Sequence, residues 1–290
     1  MIEKQNAICL KNRGIIQITG EETTDFLQSL ITTDIKKISL QEIFPGALLS
    51  PQGKVLADFL IGKREDGYFI DIEMSLADTL YKRLLLYKLR KKVEITQPLQ
   101  DLVTVSWKNE SDTLNFDSSF VDKRFPEQKK IIRIYGKIPF LASEDYDPWN
   151  QLRIRYAIAE SGQDYEVGKV FPHDINYDQI NGLAFNKGCY IGQEIVSRMH
   201  HRRAARRRIL IIKSQSDLPP QSSIEAETKI LGHLGTCVAN EALALMRIDH
   251  VKDAMDHNIP FTVKNIPVTI HIAENMNFTF PENTVENTHG

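Results

Sequence analysis

Residues 186–194 read Asn-Lys-Gly-Cys-Tyr-Ile-Gly-Gln-Glu and run on into Ile195-Val196-Ser197-Arg198-Met199, which sets Cys189 beside a glycine and close to Lys187. The chemistry this allows is that of a thiolate. Ile191, Ile195 and Met199 recur every fourth position and predict a helix over residues 190–199, with Gly188 turning the chain into it. Cys189 would then face the unpaired amides and positive dipole end of that helix, with the Lys187 ammonium nearby. Both influences lower a cysteine pKa, by ~1 unit or more. One unit is about 1.4 kcal/mol, which decides whether the thiolate is a minor or a major species at neutral pH. A buried, inert thiol is the other reading of the same residue.

The elements that must hold this segment are partly legible. Residues 14–20 read as a strand closed by Gly20. The acids Glu21, Glu22 and Asp25 then bias a helix start whose apolar face is Phe26, Leu27, Leu30 and Ile31. Residues 47–61 read as a hairpin with Pro51 second and Gly53 fourth in a type I turn. Ser75 and Asp78 resemble a helix cap, Leu80, Leu84 and Tyr87 have helical spacing, and Lys88, Arg90, Lys91 and Lys92 suit the far end of the dipole. Strands are predicted at residues 93–96, 102–107 and 131–134, with a polar loop over 108–119. Asp147-Pro148 opens another helix, with Gly162 just past its end. Short apolar runs at residues 209–212, 235–238, 243–248, 261–263 and 266–271 suggest a small antiparallel barrel, and the last ten residues read as a disordered tail.

Composition narrows the function classes. The 290 residues are 42% hydrophobic and 26% charged, as in an ordinary globular protein with room for two or three subdomains. The net charge of −2 gives no overall attraction to nucleic acid or an anionic membrane. It hides five cations in seven residues, Arg202, Arg203, Arg206, Arg207 and Arg208, against which the other residues sum to −7. No apolar run reaches the ~18–20 residues of a membrane span, and the first twelve residues resemble no targeting segment, so a cytoplasmic protein is expected. Cys9, Cys189 and Cys237 are few and far apart, which suits a reducing compartment and supplies no local metal or four-cysteine cluster site. Phosphate-loop and dinucleotide fingerprints are missing.

Residues 187–194, K-G-C-Y-I-G-Q-E, resemble the signature of the YgfZ family of folate-binding iron–sulfur proteins. Phe171-Pro172-His173-Asp174 and Gly182-Leu183-Ala184-Phe185 resemble that family's approach to the signature, and His200-His201-Arg202 with Arg206-Arg207-Arg208 its basic exit. Ile18-Thr19-Gly20, Phe26-Leu27-Gln28, residues 49–54 and Asp58 follow the same pattern, so the similarity spans roughly residues 10–272. That family is similar in fold to the T-protein of the glycine-cleavage system, which transfers an aminomethyl carbon to tetrahydrofolate. The resemblance implies an α+β chain of three subdomains around a folate cleft. Residues 1–43 with 148–201 would form a discontinuous α/β folate-binding part, residues 44–147 an inserted α/β part, residues 202–280 the antiparallel β-barrel, and residues 281–290 a tail.

The function implied is a tetrahydrofolate-binding accessory factor for assembly or repair of iron–sulfur clusters, with Cys189 and Lys187 as the acting residues. A thiolate is the soft ligand iron prefers and the form that exchanges disulfides. Expected folate contacts are Asp58 to pterin N–H groups, Tyr190 stacking on the ring, and Arg198 or Arg202 on the glutamate tail, with Arg155 a further candidate. Each has a plain alternative: a hairpin cap for Asp58, core packing for Tyr190, a helix-surface salt bridge for Arg155. The expected partners are reduced folate, iron–sulfur client proteins and their assembly machinery. No resident metal, nucleic acid or membrane is expected, and the chain reads as a monomer.

Two other functions remain open. Folate-dependent one-carbon transfer strains against three departures from the T-protein pattern. Ala57-Asp58 carries one acid where that pattern has two; Arg153-Ile154-Arg155 puts a cation where it has a pterin-holding glutamate; Cys189 and Gln193 replace an acid and an arginine. A missing acid removes a typical ~10²–10⁴-fold contribution. RNA binding or a role in tRNA modification through the arginine cluster predicts a log–log salt slope of about −4.5 for five phosphate contacts.

Overall fold

The computed structural model describes residues 7–107, 118–138, 142–201 and 205–281. The loop expected over 108–119 and the expected tail therefore lie almost wholly outside the described residues. The chain divides into two compact units. The first comprises Met1–Tyr146, Val167–Pro172 and Tyr177–Arg198; the second comprises Asp147–Glu166, His173–Asn176 and Met199–Gly290.

The first unit is built on one ten-stranded sheet: β1 (Ala7–Leu10), β2 (Arg13–Thr19), β3 (Glu42–Leu49), β4 (Val55–Arg64), β5 (Gly67–Glu73), β6 (Glu94–Ile95), β7 (Leu99–Gln100), β8 (Val103–Ser106), β9 (Ser119–Asp122) and β10 (Ile132–Tyr135). The order is β1-β8-β10-β9-β3-β4-β5-β2-β6, with β7 also on β2. Strands from both expected α/β parts thus share one sheet. Only the β3–β9 pair among these is parallel, Glu42 lying opposite Val121. The hairpin turn forms as its sequence predicts: Gly53 N donates to Ser50 O at 2.8 Å, with Pro51 between them, and Gly53 has φ +77°.

Two helices close this core. α1 (Thr23–Gln28) buries Phe26 and Leu27, and α2 (Met74–Lys88) buries Ala77, Leu80 and Leu84 at helical spacing. The α2 cap is Glu73, which accepts from Ser75 N at 2.7 Å, not the expected Ser75 side chain. A carboxylate one residue before the helix serves the same orphan amide and the same dipole end.

A chain of buried ion pairs links residues of β2, β5, β9 and β10. Arg13 Nε donates to Asp71 at 2.6 Å, Arg133 bridges Asp71 (2.8 Å) and Asp122 (3.1 Å), Arg124 holds Asp122 at 2.7 Å, and Tyr135 Oη donates to Asp71 at 2.8 Å. Burial alone would raise the two carboxyl pKa values. The arginines outweigh it and hold both below the ordinary carboxylate range, Tyr135 adding its hydrogen bond at Asp71.

The second unit is a closed six-stranded antiparallel barrel, as expected: β11 (Arg207–Ser214), β12 (Ser223–Ala226), β13 (Lys229–Val238), β14 (Glu241–Arg247), β15 (Phe261–Val263) and β16 (Ile266–His271), ordered β11-β14-β13-β12-β15-β16. Closure leaves no open edge. Ile248 starts a helix, α5 (Ile248–Asp256), where the sequence suggested the end of a strand; Ile248, Val251 and Ala254 are its buried stripe. α3 (Asp147–Arg155) ends well short of Gly162. Ala157, at φ +50°, stops it in a Schellman closure, with Ala157 N on Ile154 O (3.0 Å) and Ile158 N on Arg153 O (2.9 Å). Among the described residues no helix is long and apolar enough to cross a membrane.

Candidate functional site

The signature segment lies in the first unit as irregular backbone, and the helix after it is α4 (Gln193–His201). It starts three residues later than its apolar spacing predicts. Gly192 is the reason: its φ of +79° lies outside the right-handed helical region, so no helix runs through it. A Cβ at Gly192 would sit 2.6 Å from Ser50 O and 3.1 Å from the Gly53 Cα, so this turn presses directly on the β3–β4 turn. Gly188, expected to supply the turn, has open space around it and no such constraint.

Cys189 is therefore four residues ahead of the helix, outside its first turn. It is exposed, as a reactive thiol must be and a packed one is not. The Lys187 ammonium is also spent elsewhere. Its Nζ donates to Ile31 O (2.8 Å) and Thr33 O (2.7 Å) and lies 5.1 Å from the centroid of the Tyr190 ring. Burial lowers its pKa to about 8, against a weaker upward pull from Asp34. The placement of helix and lysine expected around Cys189 is thus replaced by a different arrangement, in which the thiol is presented and the lysine anchors.

The other signature residues are mostly structural. Tyr190 is only 6% exposed, and burial raises its phenol to about 12. A ring so enclosed, with an ammonium nearby, is not an open stacking face, which corrects that part of the expectation. Its hydroxyl is buried without a hydrogen-bond partner among the described residues. Gln193 Oε1 accepts from Tyr190 N at 3.3 Å and Gln193 N donates to Tyr190 O at 3.2 Å, so the glutamine fastens the turn, a role its sequence did not suggest. Glu194 pairs with Arg198 at 3.1 Å, both exposed, one helical turn apart. Asp58 is half-buried on β4, opposite Ala47 of β3.

In the second unit, Arg155 is exposed at the end of α3. The buried arginine of that helix is Arg153, which the sequence did not single out. It donates to Asp164 (3.0 Å), Thr236 (2.8 Å), Gln163 (3.0 Å), Asn150 (2.9 Å) and Ile158 O (3.0 Å). One residue separates the pair, yet only Arg153 is turned into the barrel wall. Arg202 and Arg203 lie outside the described residues. Of the rest of the cluster, Arg206 is exposed, Arg207 pairs with Asp174 at 2.6 Å, and Arg208 is buried, donating to His173 O (2.9 Å) with its guanidinium 4.6 Å from the centre of the Phe278 ring. Arg207 and Arg208 are thus built into the unit. Among the described residues no three His, Cys, Asp or Glu side chains converge as a metal site.

Comparison with known proteins agrees with this architecture. Residues 206–278 match the C-terminal β-barrel domain of CAF17. The chain is 27% identical to an iron-sulfur cluster assembly factor IBA57 homolog, mitochondrial, of Mycosarcoma maydis, over 73% of this chain and 58% of that one. The homolog of the same description in Dictyostelium discoideum is 25% identical over 77% and 66%, and that of Coccidioides immitis 30% over 73% and 57%. The chain thus spans less than two thirds of these relatives' length. Its fold is similar to that of the glycine cleavage system aminomethyltransferase T of Bartonella henselae, with a TM-score of 0.66, 10% identity, and coverage of 93% of this chain and 86% of that one. The family resemblance and the α+β fold class read from the sequence are both borne out. The cytoplasmic expectation is overturned: the relatives are described as mitochondrial.

Proposed function

Because this is a chain of the YgfZ/IBA57 type with an aminomethyltransferase-like fold, we propose that it is a tetrahydrofolate-binding accessory factor for assembly or repair of iron–sulfur clusters in client enzymes, acting through Cys189. The observation that carries the reading is the division of labour in the signature. Lys187, Tyr190, Gly192 and Gln193 are committed to holding the segment, and Cys189 is left exposed between them. A lone soft sulfur cannot hold a cluster by itself, so the cluster is cargo shared with a client or donor protein.

A reduced folate fits the first unit in part. The buried Tyr190 hydroxyl is a hydrogen-bonding group that a ligand would satisfy, and the Asp58 carboxylate is an acceptor suited to pterin N–H groups. When bound, the folate would supply a reduced pteridine or a one-carbon unit. Tyr190 as a stacking platform does not fit, and Arg198 already holds Glu194. Aminomethyl transfer is not part of the proposal, since Asp58 is the single acid at its position and Arg155 is an exposed cation.

Two measurements test the proposal. In cells whose only copy is Cys189→Ser, the activity of iron–sulfur enzymes is expected to fall while the protein remains folded and present; full activity would overturn the role of the thiol. Calorimetric titration of the purified protein with tetrahydrofolate is expected to give saturable binding that Asp58→Asn and Tyr190→Phe both weaken; an absence of heat would remove folate from the proposal.

A further inference from the structure

No helix or strand holds Cys189, so something else must fix where its sulfur stands. Three successive carbonyls in the first unit do this. Thr32 O accepts from Ala184 N at 3.0 Å, and Ile31 O and Thr33 O on either side accept from Lys187 Nζ. The receiving segment is itself rigid. Thr32 N donates to Ala47 O (3.0 Å), Thr32 Oγ1 accepts from Ala47 N (3.0 Å), and Thr33 Oγ1 donates to Pro45 O (2.7 Å), tying it to β3. Downstream, Gly192 abuts the turn that closes the same hairpin. Both ends of the stretch carrying Cys189 are thereby referred to β3 and β4.

We propose that Lys187 is a positioning residue, a strap that fixes the Cys189 loop to the Ile31–Thr33 carbonyls, and not a charge that activates the thiol. The proposal rests on Cys189 as the acting atom. An ammonium is costly to bury unless its donors are used, and here two carbonyls and the neighbouring ring of Tyr190 receive it. A long flexible stem with several donors can bridge two carbonyls a residue apart, which a short polar side chain cannot. At neutral pH, below its lowered pKa of about 8, Lys187 is still an ammonium, and its N–H groups are committed to those carbonyls.

The test uses the full chain with Cys9→Ser and Cys237→Ser, so that Cys189 is the one thiol. A nitroxide attached to Cys189 reports the order of the loop, and the iodoacetamide rate against pH reports the thiol's ionisation. In Lys187→Met the strap predicts that the immobile spectral component is lost while the midpoint of the pH–rate profile stays in place, and that Lys187→Arg recovers the immobile component. A midpoint raised by about one unit, the effect of removing an activating cation, overturns the proposal whatever the spectrum shows. So does a Lys187→Met spectrum superimposable on the parent's. Should Lys187→Met fail to fold, Lys187→Gln, uncharged but with N–H donors, decides by its midpoint alone. Neither readout involves a client or a cluster, so failure of the proposed function leaves this test intact.

Discussion

Gly192 and Gly53 meet backbone to backbone: a Cβ on Gly192 would stand 3.1 Å from the Gly53 Cα, and one on Gly53 would stand 3.0 Å from the Ile195 Cβ. Both have positive φ, +79° and +77°. The β3–β4 turn and the turn after Cys189 are thus fitted to each other, and neither accepts a side chain. Gly192→Ala is expected to cost at least ~2 kcal/mol, from left-handed strain and the clash with Ser50 O together. Gly188→Ala, with nothing within 4 Å, is expected to be near neutral. Urea unfolding of the two variants checks the contrast.

Cys189 makes no packing contribution of the kind a buried thiol makes, because it is exposed. Cys189→Ser is therefore expected to change stability by no more than ~0.5 kcal/mol. Loss of iron–sulfur enzyme activity in cells carrying it would then report chemistry and not folding. Measuring the melting temperature beside the cellular assay separates the two.

The Asp71–Arg133–Asp122 chain predicts a particular acid response. Both carboxyls have folded-state pKa values below the ordinary value, so the folded state binds fewer protons there than the unfolded state does. Their contribution is complete above the unfolded value of 3.8 and is lost as pH falls through the depressed folded values. Arg133→Met removes the shared arginine from two buried carboxylates, leaving Asp71 with Arg13 and Asp122 with Arg124, and is expected to destabilise by about 1.5–3 kcal/mol near neutral pH, and by less in acid. Unfolding free energies measured from pH 7 down to acid test both the size and the slope.

Lys187 gives the opposite sign at the alkaline end. Its folded pKa, about 8, lies below the unfolded 10.5, so between those values the unfolded chain holds the extra proton. The cost of burying the charged amine is present in full below about 8 and is relieved as pH rises towards 10.5. Stability of the parent relative to Lys187→Met is expected to increase over that window. A difference that stays flat or falls would show that the amine is not desolvated.

The signature, the hairpin turn and the barrel were legible in the sequence because local rules decide them. Pro51 and Gly53 suit one kind of turn, and alternation in residues 266–271 marks a strand with one buried side. Chemistry attached to residue type was legible too, which is why Cys189 stood out. Partnership was not. Lys187 sits two residues from Cys189 in the chain, but its donors go to carbonyls at Ile31 and Thr33, about half the chain away. Arg153 and Arg155 differ by two positions on one helix, and only packing against Thr236 and Asp164 decides which is buried. The sequence by itself determined which groups are present and which backbone turns are allowed. For the buried cations Lys187 and Arg153 the tertiary structure decided which groups they answer, because a desolvated charge must be met by the acceptors packed around it.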